Sequence, residues 1–80
     1  MVSVEIEYCV PCGHRDRAQD LQAALLEEYG LKVDRVALVT GDSGVFEVRV
    51  DDETVFDIDE DEYDADAIVE SVGAHVGATA

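Results

Sequence analysis

Val2-Ser3-Val4-Glu5-Ile6-Glu7-Tyr8-Cys9-Val10-Pro11-Cys12 sets a short apolar strand directly against a Cys-x-x-Cys, and a helical pattern follows. Val2, Val4, Ile6 and Tyr8 alternate with Ser3, Glu5 and Glu7, the period-2 pattern of a strand with one packed face. Pro11 cannot continue that strand and suits the first turn of a following helix, where no amide hydrogen is needed. Two thiols at this spacing can close a disulfide across a tight turn, and amide dipoles at a helix start favour the thiolate. In an intracellular protein such a pair reads as redox-active or metal-binding rather than as a structural staple.

Working outward, Ala18, Leu21, Leu25 and Tyr29 recur at spacings of three and four. With Ala24 they form the apolar stripe of an amphipathic helix predicted over Gly13 to Tyr29, with Gly30 as its C-cap glycine. A second strand is expected over Lys32 to Val39. Gly41-Asp42-Ser43-Gly44 reads as a turn, leading to a third strand over Val45 to Val50. Asp51-Asp52 closes a tight hairpin onto a fourth strand, Glu53 to Asp57. After an acidic loop, Asp64 is placed to cap a last helix over Ala65 to Val76, with Ile68, Val69, Val72 and Val76 on its apolar face.

The order β-α-β-β-β-α constrains the topology. Strands one and two, joined by a helix, run parallel with a right-handed crossover, and strands three and four form an antiparallel hairpin. The expected fold is α/β: a four-stranded mixed sheet in the order 2-1-3-4 with two helices. The Cys-x-x-Cys then lies at the carboxyl end of a central strand, where ligands of open α/β sheets tend to bind.

Eighty residues indicate a single domain over 1–80 with a small core, and Gly77 to Ala80 reads as a short flexible tail. No basic region followed by a long apolar run opens the chain, and no stretch approaches the ~18 apolar residues of a membrane span. A soluble, cytoplasmic protein is the expectation. Asp and Glu number 20 against 5 basic residues, a formal charge of −15. Such a surface repels nucleic acid and anionic membranes, so neither is an expected partner. Apolar content of 48 % in periodic segments argues against disorder as the origin of so much acid. Self-repulsion of this size needs screening, and the sequence predicts a salt-loving, archaeon-type source.

At this point the chain resembles the selenoprotein W-like branch of the thioredoxin-like proteins, the Rdx family, over nearly its whole length. The carrying residues are Val4 to Cys12, Arg17 with the Leu21 to Leu25 helix, and the block Gly44-Val45-Phe46-Glu47-Val48-Arg49-Val50-Asp51. The resemblance implies a thioredoxin-like fold and a thiol–disulfide oxidoreductase that works without a cofactor through Cys9 and Cys12. It would exchange with a protein or a low-molecular-weight thiol or disulfide. In selenium-containing relatives the second position, matching Cys12, carries selenocysteine, whereas in thioredoxin the first cysteine attacks, so either sulfur is a candidate nucleophile. Thioredoxins also place a cis-proline opposite the Cys-x-x-Cys. Pro11 is the sole proline here, and the loop Thr40 to Val45 is left to do that job.

The residues themselves leave alternatives open. Zinc needs about four ligands, so His14 and His75 would have to join Cys9 and Cys12, or two chains would share a Cys₄ site. A disulfide without turnover is a third reading. Arg15 and Arg17 beside His14 form a small positive cluster that would favour a thiolate, unless they simply pair with Asp16 or Asp20 on the helix. Ser43 and Gly44 could line a substrate groove or merely turn the chain, and Tyr8 reads as core. Asp57, Asp59 and Asp61 resemble a calcium loop, but Glu62 and Ile68 stand where glycine and the bidentate glutamate are required. A monomer or a weak dimer is expected.

Overall fold

Apolar alternation from Val4 to Tyr8 places one face of β1 (Ser3–Cys9) in the core. In the computed structural model, which describes residues 2–79, Val4, Ile6 and Tyr8 are buried while Ser3, Glu5 and Glu7 lie half-buried on the opposite face. The chain continues through α1 (Arg15–Tyr29), a short 3₁₀ turn (Gly30–Lys32), β2 (Arg35–Gly41), β3 (Phe46–Val50), β4 (Glu53–Asp57) and α2 (Ala65–Thr79). The sheet order is β2-β1-β3-β4. β1 pairs in parallel with β2 and antiparallel with β3, which pairs antiparallel with β4. This is the expected thioredoxin-like architecture.

Both helices cover one face of the sheet: α1 packs on β1, β2 and α2, and α2 packs on β3 and β4. Ala18, Leu21 and Leu25 of α1 and Ile68, Val72 and Val76 of α2 meet Ile6, Phe46 and Val48 in a single core. The helices are also joined by a polar contact, in which the Tyr29 hydroxyl donates to the Val69 carbonyl. Gly73 leaves room for this contact, because a Cβ at that position would crowd the Tyr29 hydroxyl. Burial, reinforced by the charges of Glu28 and Glu70, pushes the Tyr29 hydroxyl above its ordinary pKa, so it remains a donor.

The opposite face of the sheet carries a charged cluster. Arg49 donates to Glu7 at 3.1 Å, to Glu47 at 3.4 Å and to Glu5 at 3.5 Å. At the far end of the sheet, Asp51 and Asp52 adopt positive φ (49° and 73°), as a two-residue hairpin turn requires. Asp51 ties this turn to β1: its carboxylate accepts from the Ser3 amide at 3.0 Å and its amide donates to the Ser3 carbonyl at 3.0 Å.

Several boundaries differ from expectation. α1 starts at Arg15 rather than Gly13, because Gly13 takes φ 80° to close the turn before it. Pro11 therefore sits in that turn and not in the helix. β2 begins at Arg35 rather than Lys32, since the chain leaves α1 through a 3₁₀ turn that buries Val33. The Asp34 amide then joins the Val2 carbonyl at 2.6 Å. β3 begins at Phe46, Val45 belonging to the preceding loop. α2 runs past Val76 to Thr79, so the backbone of 77–79, expected as a tail, continues the helix; Ala80 lies outside the described residues.

Asp64 caps α2 as predicted, accepting from the amides of Asp66 at 3.1 Å and Ala67 at 3.3 Å. Replacing Asp64 with Ala is expected to cost about 1 kcal/mol, the usual value of an N-cap. Chemical denaturation of the two proteins at equal salt measures it, and an unchanged midpoint would show the cap to be energetically idle.

Candidate functional site

Cys9 ends β1, and Cys12 lies within the turn of residues 10–13 that follows. Their Cα atoms are 5.3 Å apart and the sulfurs are joined in a disulfide. The turn is closed by the Gly13 amide donating to the Val10 carbonyl at 3.1 Å, and the His14 amide reaches the Cys9 carbonyl at 3.4 Å. The expected placement of the pair at a helix start needs correction. α1 begins beyond His14, which occupies its N-cap without a capping side-chain hydrogen bond.

The two cysteines differ sharply in access. Cys9 is 0 % exposed, whereas Cys12 is exposed. By alternation Cys9 falls on the same side of β1 as Glu5 and Glu7, which are only half-buried. Its full burial coincides with the loop between β2 and β3, which folds back along it. The Cys9 amide donates to the Val45 carbonyl at 2.8 Å, and the Val10 amide donates to the Gly41 carbonyl at 3.1 Å. Gly41 admits this approach: a Cβ there would lie 2.8 Å from Val45 Cγ1 and 2.9 Å from Glu7 Oε2. Ser43 and Gly44 take positive φ (60° and 80°) to turn the loop. The segment expected to face the Cys-x-x-Cys thus does so, through the backbone of Gly41 and Val45.

The positive cluster is not organised by pairing along the helix. Arg17 places its guanidinium 4.5 Å from the Tyr63 ring centroid, and Tyr63 in turn lies edge-on to Phe46 at 5.4 Å and Phe56 at 6.1 Å. Burial pushes the Tyr63 hydroxyl above its ordinary pKa, opposed by Arg17. Among the described residues neither Arg15 nor Arg17 forms an ion pair, Asp16 and Asp20 included. His14 packs edge-on to Phe46 with ring centroids 6.0 Å apart. Its Nδ1 is buried without a hydrogen-bond partner among the described residues. Tyr8 is 6 % exposed and belongs to the core. Tyr63 was not legible as a site residue; the available signal was a lone aromatic inside the acidic run Glu62-Tyr63-Asp64.

Among the described residues the zinc set does not assemble. His75 pairs with Glu53 at 3.3 Å. Glu53 registers with Val50, and Val50 with Val4, at the amino end of β1. Cys9 stands at the carboxyl end, opposite Gly41. The acidic loop is a backbone turn: the Asp57 carboxylate accepts from the Asp59 amide at 3.0 Å, and the Asp57 carbonyl accepts from Glu60 and Asp61. Among the described residues no helix is long and apolar enough to cross a membrane.

Comparison with known proteins fits this geometry. The model of the Rdx family matches residues 3–74. A protein from Bordetella parapertussis of known crystal structure is 29 % identical, with 92 % of this chain and 96 % of that one covered and a TM-score of 0.86. A selenoprotein W-related protein from Vibrio cholerae shares the fold at 22 % identity, with 94 % and 96 % covered and a TM-score of 0.86. No curated protein matches.

Proposed function

Because the chain belongs to the Rdx family, we propose that it is a thiol–disulfide oxidoreductase in which Cys12 meets the substrate and Cys9 resolves the intermediate. The asymmetric burial of the pair carries this reading. In the reduced protein the exposed Cys12 thiolate attacks a substrate disulfide; a Cys12–substrate bond forms, and the other substrate sulfur leaves as a thiolate that takes up a proton. The Cys9 thiolate then attacks the Cys12 sulfur, expels the second substrate thiolate and closes the Cys9–Cys12 disulfide. One substrate disulfide is reduced to two thiols as one protein dithiol is oxidised. In the reverse direction an external thiolate attacks Cys12, the sulfur it can reach.

The partners are a protein or a low-molecular-weight thiol, with no nucleic acid or membrane. The setting is a salt-rich cytoplasm, and the protein works as a monomer or weak dimer. A redox titration in molar potassium chloride, with free thiols read by alkylation and mass spectrometry, tests the function. A reversible two-electron transition of Cys9 and Cys12 is expected within the range of cytosolic dithiol carriers, roughly −200 to −270 mV. Thiols that stay unreactive, or become reactive only after a chelator is added, would replace the oxidoreductase with a non-catalytic redox-sensing or zinc-binding module.

A further inference from the structure

We infer that β2 is the surface through which this chain associates with a second copy of itself, the two strands pairing antiparallel about a two-fold axis and joining two four-stranded sheets into one. The interface deepens the monomer-or-weak-dimer part of the proposed function and does not depend on the cysteine chemistry. The order β2-β1-β3-β4 leaves two strand edges, and an edge presents backbone donors and acceptors that another strand can take. The two edges differ. β4 is five residues long, is interrupted by a register shift opposite Val48 and Arg49, and is bounded by Glu53 and Asp57. The Asp57 carbonyl is already taken by the amides of Glu60 and Asp61. Short length, a bulge and charge are the usual means of keeping an edge unpaired. β2 is seven residues long, keeps an unshifted register with β1 and carries no charged side chain from Val36 to Gly41, in a chain that is 31 % charged.

Hydrogen bonding fixes which backbone groups of β2 face outward. The Gly41 carbonyl accepts from the Val10 amide at 3.1 Å, so Gly41 faces β1. Alternate residues of a parallel ladder face the neighbouring strand, so Val36, Leu38 and Thr40 face away from it. The Gln22 side chain of α1 agrees with this phase, donating to the Val36 carbonyl at 2.7 Å. Among the described residues no hydrogen bond from another element reaches Leu38 or Thr40. Apolar surface gathers on the same flank. The large apolar side chains that stand exposed among the described residues are Val10, Leu26 and Leu31, and each borders β2. Val10 is bonded to Gly41 at its carboxyl end. Leu31 lies in the 3₁₀ turn that leads to its amino end. Leu26 stands one helical turn beyond Gln22 on the face of α1 that reaches Val36.

Symmetry and charge point to a second copy as the occupant. Across a two-fold axis a strand meets its own sequence reversed, and a residue at the axis can exchange both backbone hydrogen bonds with its twin. Leu38 is the middle one of the three outward-facing residues. Antiparallel pairing also lays the amino end of each strand, where Lys32 and Arg35 outnumber Asp34, against the carboxyl end of the other, which runs into Asp42. Among the described residues none of these four charges has an ion-pair partner within its own chain. Elsewhere the net charge of −15 holds two copies apart. At 1 M salt, with a screening length of about 3 Å, that long-range repulsion is removed and the short-range contacts decide.

Sedimentation equilibrium of the whole chain in molar potassium chloride is the test. One short strand pair makes an interface at the small end of the known range, so association is expected at roughly 0.1–1 mM chain. Over that range the apparent mass should climb from 8.7 kDa toward twice that value. Hydrogen exchange at the Leu38 and Thr40 amides should slow over the same range, and exchange at Thr54 of β4 should not. Thr40 and Thr54 are both exposed, one on each edge strand, so Thr40→Lys and Thr54→Lys change the net charge equally. Thr40→Lys should weaken the dimer at least about tenfold, and Thr54→Lys should leave it in place. Thr40→Pro removes an outward amide and no bond to β1, and should act as Thr40→Lys does; circular dichroism checks that each variant folds. A mass of one chain throughout, a dimer indifferent to Thr40→Lys, or a dimer lost equally in Thr54→Lys overturns the interface. Each of these outcomes leaves the oxidoreductase reading to its own redox titration.

Discussion

Cys12→Ser is expected to reduce disulfide exchange to the uncatalysed background, a loss of at least about a thousandfold for removal of a nucleophile. Cys9→Ala is expected to keep the first attack and to accumulate a mixed disulfide at Cys12. The difference follows from access. Displacement at sulfur needs an in-line approach, and only Cys12 is exposed, while Cys9 is 0 % exposed behind the Gly41–Val45 backbone. Alanine is preferred at Cys9 because a serine hydroxyl buried there would need a hydrogen-bond partner. Intact-mass analysis after a pulse of substrate disulfide reads both outcomes, with circular dichroism to confirm folding. An active Cys12→Ser and a dead Cys9→Ala would reverse the assignment. Activity in both would place the chemistry elsewhere.

Local pattern carried most of the fold. Alternation in Val2 to Tyr8, the Ala18–Leu21–Leu25–Tyr29 stripe and the Asp51-Asp52 turn are short-range signals, and together they led to the order β2-β1-β3-β4. The errors arose where two local patterns compete. Leu31 and Val33 alternate like a strand, but Leu31 is fully exposed and the segment forms a 3₁₀ turn ahead of β2. Pro11 is well suited to the first helical position, yet closing the disulfide turn calls for positive φ at Gly13 and delays the helix to Arg15.

The candidate site was legible as a pair of residues but not as an asymmetric pair. Burial of Cys9 depends on a loop that follows β2, far along the chain, and on a Gly41 too small to obstruct it. Likewise Arg17 could be placed near the cysteines from sequence, whereas its partner Tyr63 comes from beyond β4. Pairing with Asp20 was reasonable by helix spacing. The aromatic face is preferred in a setting where the tyrosine is held by Phe46 and Phe56.

Salt is expected to move the stability of this chain further than loss of the Asp64 cap does. The net charge of −15 sits on a chain whose radius of gyration is only 11.7 Å. Among the described residues, ion pairs engage only Glu5, Glu7 and Glu47 with Arg49, and one further carboxylate, that of Glu53, lies against the His75 imidazole. The remaining carboxylates repel one another at short range, and an 80-residue core offers little to offset that. At 1 M salt the screening length is about 3 Å against about 30 Å at 0.01 M, so repulsion across the surface is largely removed. The protein is expected to be folded in molar potassium chloride and to unfold on dialysis into dilute buffer, with a melting temperature that climbs by more than about 10 °C between the two where both can be measured. The loop from Asp57 to Asp64 is where the charges are densest. Glu60, Asp61 and Glu62 are exposed there, and among the described residues no side-chain hydrogen bond of theirs supports the turn. Replacing these three with Gln, Asn and Gln should therefore move the folding transition to lower salt. A melting temperature indifferent to salt, or a neutralised loop that leaves the transition in place, would show that the acidic surface is tolerated rather than screened.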